Sequence, residues 1–133
     1  MGTRAYIGIK NNDGSIAAIY NQLNGGLPDL GHILRKYFTT EERVRKLINL
    51  GGISYIADRN TYESLQYASD KTWTIFGFAP ELHICMFPNK EPTEVFNDIE
   101  EVMGGMICYA YLFVPSENKW YYTKGHGLKP LKS

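Results

Sequence analysis

The stretch AYIGIKNNDGSIAAIY, residues 5–20, decides how the fold begins. In its first part the side chains alternate between two faces, with Ala5, Ile7 and Ile9 on one of them. Residues 16–20 show the same alternation. Alternation of this kind is typical of half-buried β-strands. Asp13-Gly14 lies between the two parts, and glycine readily adopts the positive φ that a tight hairpin turn needs. The sequence therefore predicts an N-terminal β-hairpin.

A second hairpin is predicted toward the other end of the sequence. In residues 107–114 the odd and the even positions both carry apolar side chains. This pattern is typical of a central strand that is buried on both faces. Residues 115–118 form a turn, and the strand Lys119–Thr123 returns with Trp120 and Tyr122 on one face. The segment from Gly125 onward is rich in glycine, proline and lysine, and we expect residues 125–133 to be a mobile basic tail.

Two segments between these hairpins have the spacing of amphipathic helices. The first has apolar residues at positions 30, 33, 34 and 37, and Asp29 is placed to cap its N-terminus. The second is predicted to begin with a capping box formed by Thr39 and Glu42 and to end at Gly51.

These elements together predict an α+β fold. We expect an antiparallel sheet of about five strands, formed around the N- and C-terminal hairpins and packed against two to three helices. The chain has 133 residues, of which 44% are hydrophobic and 21% are charged, as in an ordinary globular domain. We therefore assign residues 1–124 to a single domain.

The charges are balanced overall but unevenly distributed. The formal net charge is zero, which argues against bulk attraction to nucleic acid or to an anionic membrane. Residues 47–114 carry nine acidic and three basic side chains, whereas the segments on either side each have a net charge of +3. No stretch approaches the length of about 18 apolar residues that a membrane span needs. We expect a cytoplasmic protein that binds neither nucleic acid nor membrane directly.

The residue types that most often carry chemistry form no catalytic pattern. Three histidines are spread along the chain without the spacing of a metal site. Cys85 and Cys108 lie far apart in apolar segments, which predicts buried free thiols rather than a disulfide. We therefore predict no catalytic residue, no metal and no cofactor, and a protein that is not an enzyme.

A third predicted helix is strongly acidic. It is expected to begin at Pro92 and to end at Gly104, and its apolar face consists of Val95, Phe96, Ile99, Val102 and Met103. Its carboxylates indicate a contact surface for a basic partner, such as the nucleic-acid groove of another protein. The predicted partner-binding residues are Glu94, Asp98, Glu100 and Glu101. A solvated outer face and a carboxylate active site are the alternatives.

A separate set of residues could bind a small ligand. Aromatic side chains in both terminal hairpins lie near basic ones, and such a platform can stack a nucleotide base. A glycine loop at residues 24–31, where the first helix begins, could approach a phosphate with its backbone N–H groups. The predicted ligand-binding residues are Tyr6, Tyr20, Gly25, Gly26, Trp120 and Tyr122. A plain connecting loop and tyrosines packed beneath helices are the alternatives.

Both ends of the sequence resemble a known family. The opening MGTRAYIGI, with DGSI at residues 13–16 and IY at 19–20, resembles small uncharacterised proteins of phages and prophages. The similarity continues at RVRKLI (43–48) and LGGIS (50–54), and it returns at YAYLF (109–113) and KWYY (119–122). Family members usually continue after the tyrosine with a CHWDG-like stretch, where this chain has NQLNG at residues 21–25. An activity that depends on those groups is therefore not carried over.

The resemblance implies a phage or mobile-element accessory protein that acts by binding. We expect it to bind and inhibit a host protein, as a counter-defence (anti-CRISPR-like) inhibitor would. A nucleic-acid-dependent defence complex is the most attractive target for the acidic residues. A protein that sequesters a nucleotide is one alternative. A small hydrolase or nuclease is another, but it needs a metal or a His–carboxylate pair that the sequence does not supply. The sequence leaves open whether the protein forms a homodimer.

Overall fold

The computed structural model describes residues 3–57, 72–76, 79–86, 91–105 and 107–131. Its centre is the N-terminal hairpin of β1 (Ala5–Lys10) and β2 (Ile16–Asn21), which pair antiparallel along their whole length. In the turn, Asp13 accepts hydrogen bonds from the backbone N–H and the hydroxyl of Ser15, and Gly14 has a φ of +90°. The predicted hairpin is therefore confirmed.

A helical segment follows on one side of the sheet. A π-helical turn (Leu27–Gly31) leads into α1 (His32–Tyr37), and α2 (Glu41–Ile48) comes after a short connection. The predicted cap at Asp29 is wrong, because the π-helical turn begins after Gly26 and Asp29 lies exposed within it.

The capping of α2 differs from the prediction by one residue. Its N-cap is Thr40 rather than Thr39, and the Thr40 hydroxyl accepts a hydrogen bond from the backbone N–H of Arg43 at 3.3 Å. Beyond the helix end, Gly51 has a φ of +84°. Glycine is needed there because a Cβ would lie 2.1 Å from the carbonyl oxygen of Glu91.

The described part of the chain has seven further strands in a mixed sheet. In chain order they are β3 (Ile53–Ala57), β4 (Thr72–Phe76), β5 (Ala79–Met86), β6 (Glu94–Phe96), β7 (Tyr109–Val114), β8 (Lys119–Thr123) and β9 (Lys129–Pro130). The strand order is β4-β5-β3-β2-β1-β7-β8-β9, and β6 pairs with β2 beside this path.

The predicted α+β fold is confirmed, but the sheet is larger than predicted and is not wholly antiparallel. β1 pairs in parallel with β7, and β2 pairs in parallel with β3. Parallel neighbours are joined by long crossover connections, so local sequence patterns do not reveal them. β7 lies between β1 and β8 and contributes buried residues to both faces, as the sequence predicted for a central strand.

The predicted acidic helix beginning at Pro92 is wrong. Residues 94–96 form β6, which runs antiparallel to β2, and only Ile99–Val102 form a helical turn, α3. Asp98 is the N-cap of α3, and its side chain accepts a hydrogen bond from the backbone N–H of Glu101. Pairing with β2 outweighs the helical spacing of residues 95 and 96, because valine and phenylalanine also favour strands.

Part of the segment predicted to be a mobile basic tail, residues 125–133, pairs with the sheet. β9 pairs with β8, and the backbone N–H of Leu131 donates to the carbonyl oxygen of Trp120 at 2.9 Å. The Leu131 side chain packs against the main core. Residues 129–131 therefore form part of the sheet edge.

Two apolar clusters lie on opposite faces of the sheet. The larger one lies beneath the π-helical turn, α1 and α2, and includes Ile7, Leu34 and Tyr111. The smaller one lies beneath α3 and includes Val102 and Leu112. Alternate residues of β1 and β7 point to the two clusters, so the sheet separates a helix side from an α3 side. Among the described residues, no helix has the length and apolar character required to cross a membrane.

Candidate functional site

The predicted partner-binding residues lie on β6 and α3. Glu94 is in β6, Asp98 caps α3, and Glu100 and Glu101 are in its first turn. All four are exposed, as is Glu91 just before them. These five carboxylates stand in a segment, residues 91–103, that contains no lysine or arginine. We call the five residues the acidic surface.

Hydrogen bonds hold three carboxylates of the acidic surface. The hydroxyl of Tyr6 donates to Glu94 Oε2 at 2.7 Å. Asp98 Oδ1 accepts from the backbone N–H of Glu101 at 3.0 Å. Glu101 in turn accepts from the backbone N–H and the side-chain amide of Asn97, at 2.8 and 3.2 Å. Side chains that are already fixed lose little conformational freedom when a partner binds, so this part of the acidic surface is preorganised.

Tyr6 connects β1 to the acidic surface. Its ring contacts the rings of Tyr20 and Phe96, with centroid distances of 5.8 and 5.3 Å. Burial, together with the hydrogen bond to Glu94, raises the pKa of the Tyr6 hydroxyl well above its ordinary value. The phenol therefore remains protonated, and able to donate to Glu94, at neutral pH.

Val95 adds an apolar contact point beside the acidic surface. Strand alternation places its side chain on the opposite side of β6 from Glu94 and Phe96. The residue is 69% exposed. Because protein interfaces combine apolar contacts with a charged rim, a partner that reaches the edge of β6 meets both.

The predicted ligand-binding aromatic residues do not form one site. Tyr6 and Tyr20 pair across β1 and β2 on the α3 side of the sheet, whereas Trp120 and Tyr122 lie on the helix side. Trp120 is only 6% exposed, and its indole N–H donates to the carbonyl oxygen of Phe38 at 2.8 Å. Trp120 is therefore a core residue and not the exposed platform that the sequence predicted.

The glycine loop is engaged within the fold. The carbonyl oxygen of buried Gly25 accepts from the hydroxyl of Tyr111 at 2.7 Å, and its N–H donates to the carbonyl oxygen of Thr3 at 3.0 Å. The carbonyl oxygen of Gly26 accepts from two N–H groups of the π-helical turn. The Gly25 N–H is therefore not available to a phosphate.

Tyr122 lines a cavity that the sequence did not predict. A cleft of about 470 Å³ lies between α1 and β9, and its lining includes Tyr122, Arg35 and Lys129. No pattern in the sequence selects the two basic residues. An arginine in an amphipathic helix and a lysine in a terminal segment are both typical of solvated charges.

The structure also describes the possible metal ligands and one of the two cysteines. Within the described ranges, no group of three or more His, Cys, Asp or Glu side chains could hold a metal ion. Cys108 is an exposed free thiol, which corrects the prediction that it is buried. The side chain of Cys85 lies outside those that the structure describes.

Comparison with protein-family models, with curated proteins and with solved structures finds no match to this chain. The resemblance to phage and prophage proteins therefore stays a prediction from the residues that carry it. The function of the protein is inferred from the surfaces it presents.

Proposed function

We propose that the protein binds a basic surface of a host protein through the acidic surface, and that it inhibits this partner by occupying that surface. The observation that carries the proposal is the charge of residues 91–103, where five carboxylates stand without a basic residue. Three of the five are oriented by hydrogen bonds before any partner arrives. Complementary charge speeds association with a basic partner and disfavours acidic ones.

The partner class follows from this charge. Proteins that bind nucleic acids carry basic grooves for the phosphate backbone, and a row of fixed carboxylates can occupy such a groove in place of phosphates. The resemblance to phage and prophage proteins favours a nucleic-acid-dependent defence complex in the host cytoplasm. A counter-defence inhibitor of this kind acts by occupying the basic groove with its acidic surface and needs no catalytic step.

Glu100→Lys is the sharpest variant for testing the proposal. Glu100 is exposed in the first turn of α3 and makes no hydrogen bond to a described residue, so its reversal changes the charge without breaking an internal contact. Glu94, by contrast, is held by Tyr6. Glu42→Lys is the matched control, because Glu42 is an exposed glutamate in the first turn of α2.

The variants are used as baits in lysate from a bacterial host, and retained proteins are quantified by mass spectrometry. We expect the wild type and Glu42→Lys to retain the same basic protein, and Glu100→Lys to retain at least about tenfold less of it. The activity of that protein should fall when the wild type is added. It should stay near its full level when Glu100→Lys is added instead. Equal retention by both variants, or a retained protein whose activity does not change, contradicts the proposal.

A second pair of variants tests the apolar contact. Val95→Ser should weaken capture of the same protein, because it removes an exposed apolar side chain at the edge of β6. Leu128→Ser is the control, since Leu128 is 40% exposed and lies near β9. Equal capture by these two variants would restrict the interface to the carboxylates.

A further inference from the structure

Two concave lobes meet at the C-terminal strand β9, on the helix side of the sheet. Each has a volume of about 470 Å³. The first lobe is bounded by Leu27, Tyr122 and Lys129, and the second by Thr39, Asn118 and Lys119. Both lobes are lined by Arg35, Pro130 and Leu131. We call the two lobes together the β9 cleft.

The β9 cleft is basic although the chain as a whole is neutral. Among the described residues, the charged side chains that line it are Arg35, Lys119 and Lys129, and none is an aspartate or a glutamate. A smaller hollow of about 90 Å³ adjoins the first lobe at Tyr122 and Lys129, and it adds Lys124 to the same region. Basic groups that converge in a concave site favour an anionic ligand.

Arg35 is the residue best placed to bind an anion. Its Nη2 lies 3.3 Å from His32 Nδ1. Its Nε, however, is buried and has no hydrogen-bond partner among the described residues. A guanidinium binds phosphate or carboxylate oxygens through its N–H groups. Because Nε itself is buried, an anion at the junction of the lobes would bind the terminal Nη groups of Arg35.

The first lobe provides room for the rest of the ligand. Leu27 and Leu131 give it aliphatic walls, and Tyr122 gives it an aromatic side chain that is half-buried against the main core. Its volume lies in the range of pockets that hold small organic molecules. Aromatic side chains stack nucleobases with little dependence on base identity.

We infer that the β9 cleft binds a nucleotide, with the phosphate on Arg35 between Lys119 and Lys129 and the base beside Tyr122 in the first lobe. The inference is independent of the proposed function, because the acidic surface and the β9 cleft share no residue. Either can fail without the other.

Isothermal titration calorimetry of the full chain tests the inference directly. The probes are AMP, GMP, CMP and UMP, with adenosine and inorganic phosphate as fragments that each lack one half of the ligand. We expect at least one nucleotide to bind with a Kd below about 1 mM. Adenosine and inorganic phosphate should each bind at least about tenfold more weakly than that nucleotide. Inorganic phosphate binding as tightly as the nucleotide would overturn the contact with the base.

Three variants assign the binding to the cleft. Arg35→Gln should weaken nucleotide binding by at least about tenfold. Lys36→Gln is the matched control, because it removes one charge from the exposed neighbouring position of α1. Lys129→Gln changes an exposed side chain that is not part of the core, so it should fold normally and should also weaken binding. The inference is overturned if no nucleotide binds at millimolar concentration, or if Arg35→Gln and Lys129→Gln bind as Lys36→Gln does.

Discussion

Removing the hydroxyl of Tyr111 tests how the central strand holds the loop that leads to α1. Tyr111 is 1% exposed, and its hydroxyl donates to the carbonyl oxygen of Gly25 at 2.7 Å. Tyr111→Phe keeps the ring, which stacks on that of Tyr109 at a centroid distance of 6.1 Å. The variant therefore removes one buried hydrogen bond and leaves a buried carbonyl oxygen without that donor.

The expected cost is about 1–2 kcal/mol in the free energy of unfolding, because the carbonyl oxygen stays away from water. At an unfolding entropy of about 2.1 cal/mol/K per residue, the 133 residues of the chain give about 0.28 kcal/mol/K. Tm should then fall by about 4–7 °C at pH 7, measured by differential scanning calorimetry. Tyr109→Phe is the control, since its hydroxyl makes no hydrogen bond to a described residue, and it should change Tm by less than about 2 °C.

The same variant has a pH signature. Burial raises the pKa of the Tyr111 hydroxyl well above its ordinary value. In the unfolded chain this group ionises near pH 10, while in the folded chain it stays protonated, so the unfolded state binds fewer protons above that pH. The stability that Tyr111 contributes is complete below about pH 10 and is lost as the pH rises further. The difference in Tm between wild type and Tyr111→Phe should therefore shrink as the pH rises above about 10.

Two results would refute this reasoning about Tyr111. One is equal Tm values for Tyr111→Phe and Tyr109→Phe at neutral pH. The other is a Tm difference from wild type that stays constant to the alkaline end of the range. Tyr6 also has a raised pKa, so the Tyr111→Phe variant should still lose some stability at alkaline pH.

Two further predictions concern the positioning of the acidic surface. Gly51→Ala should cost at least about 2 kcal/mol, because it combines a positive φ with a Cβ 2.1 Å from the Glu91 carbonyl oxygen. Gly14→Ala has a φ of +90° but open space around it, so it should cost only about 1 kcal/mol. Equal Tm values for the two variants would contradict this. Tyr6→Phe should remove one late-ionising phenol from an ultraviolet absorbance titration above pH 10, because burial and Glu94 raise the pKa of Tyr6; an unchanged titration curve would count against that environment.

The sequence predicted the elements whose formation is local. Asp13-Gly14 defines the first hairpin because the turn is closed by neighbouring atoms, with the Ser15 N–H donating to Asp13 at 2.9 Å. Helix α2 was likewise predicted from its amphipathic spacing, and the structure buries Val44 and Leu47 on one side of it. In both cases the information lies within a few residues of the element itself.

The errors arise where a distant partner decides the conformation. Val95 and Phe96 fit a helical stripe as well as a strand, and β2, far away in the chain, selects the strand by pairing with it. The parallel pairing of β1 with β7 joins segments about a hundred residues apart. The packing of Leu131 against the core was not predicted either, because the glycine-rich composition of the tail did not reveal it.

The candidate site was predicted in the same partial way. Composition alone identified the carboxylates of the acidic surface, yet not the hydrogen bond from Tyr6 to Glu94, which joins residues 88 positions apart. The β9 cleft was missed except for its aromatic residues. Arg35 gains its significance only when β9 is placed beside α1, and no local pattern places it there.

The neighbouring strands β1 and β7 explain how one small sheet can hold two different surfaces. Tyr6 in β1 points to the α3 side and holds Glu94, while Tyr111 in β7 points to the helix side and holds the loop before α1. β2, which pairs with β6, and β8, which borders the β9 cleft, are separated by three strand spacings, or roughly 14 Å. Because mutations more than about 7–10 Å apart without shared partners have additive effects, a loss of partner capture and a loss of nucleotide binding can be assigned to separate surfaces.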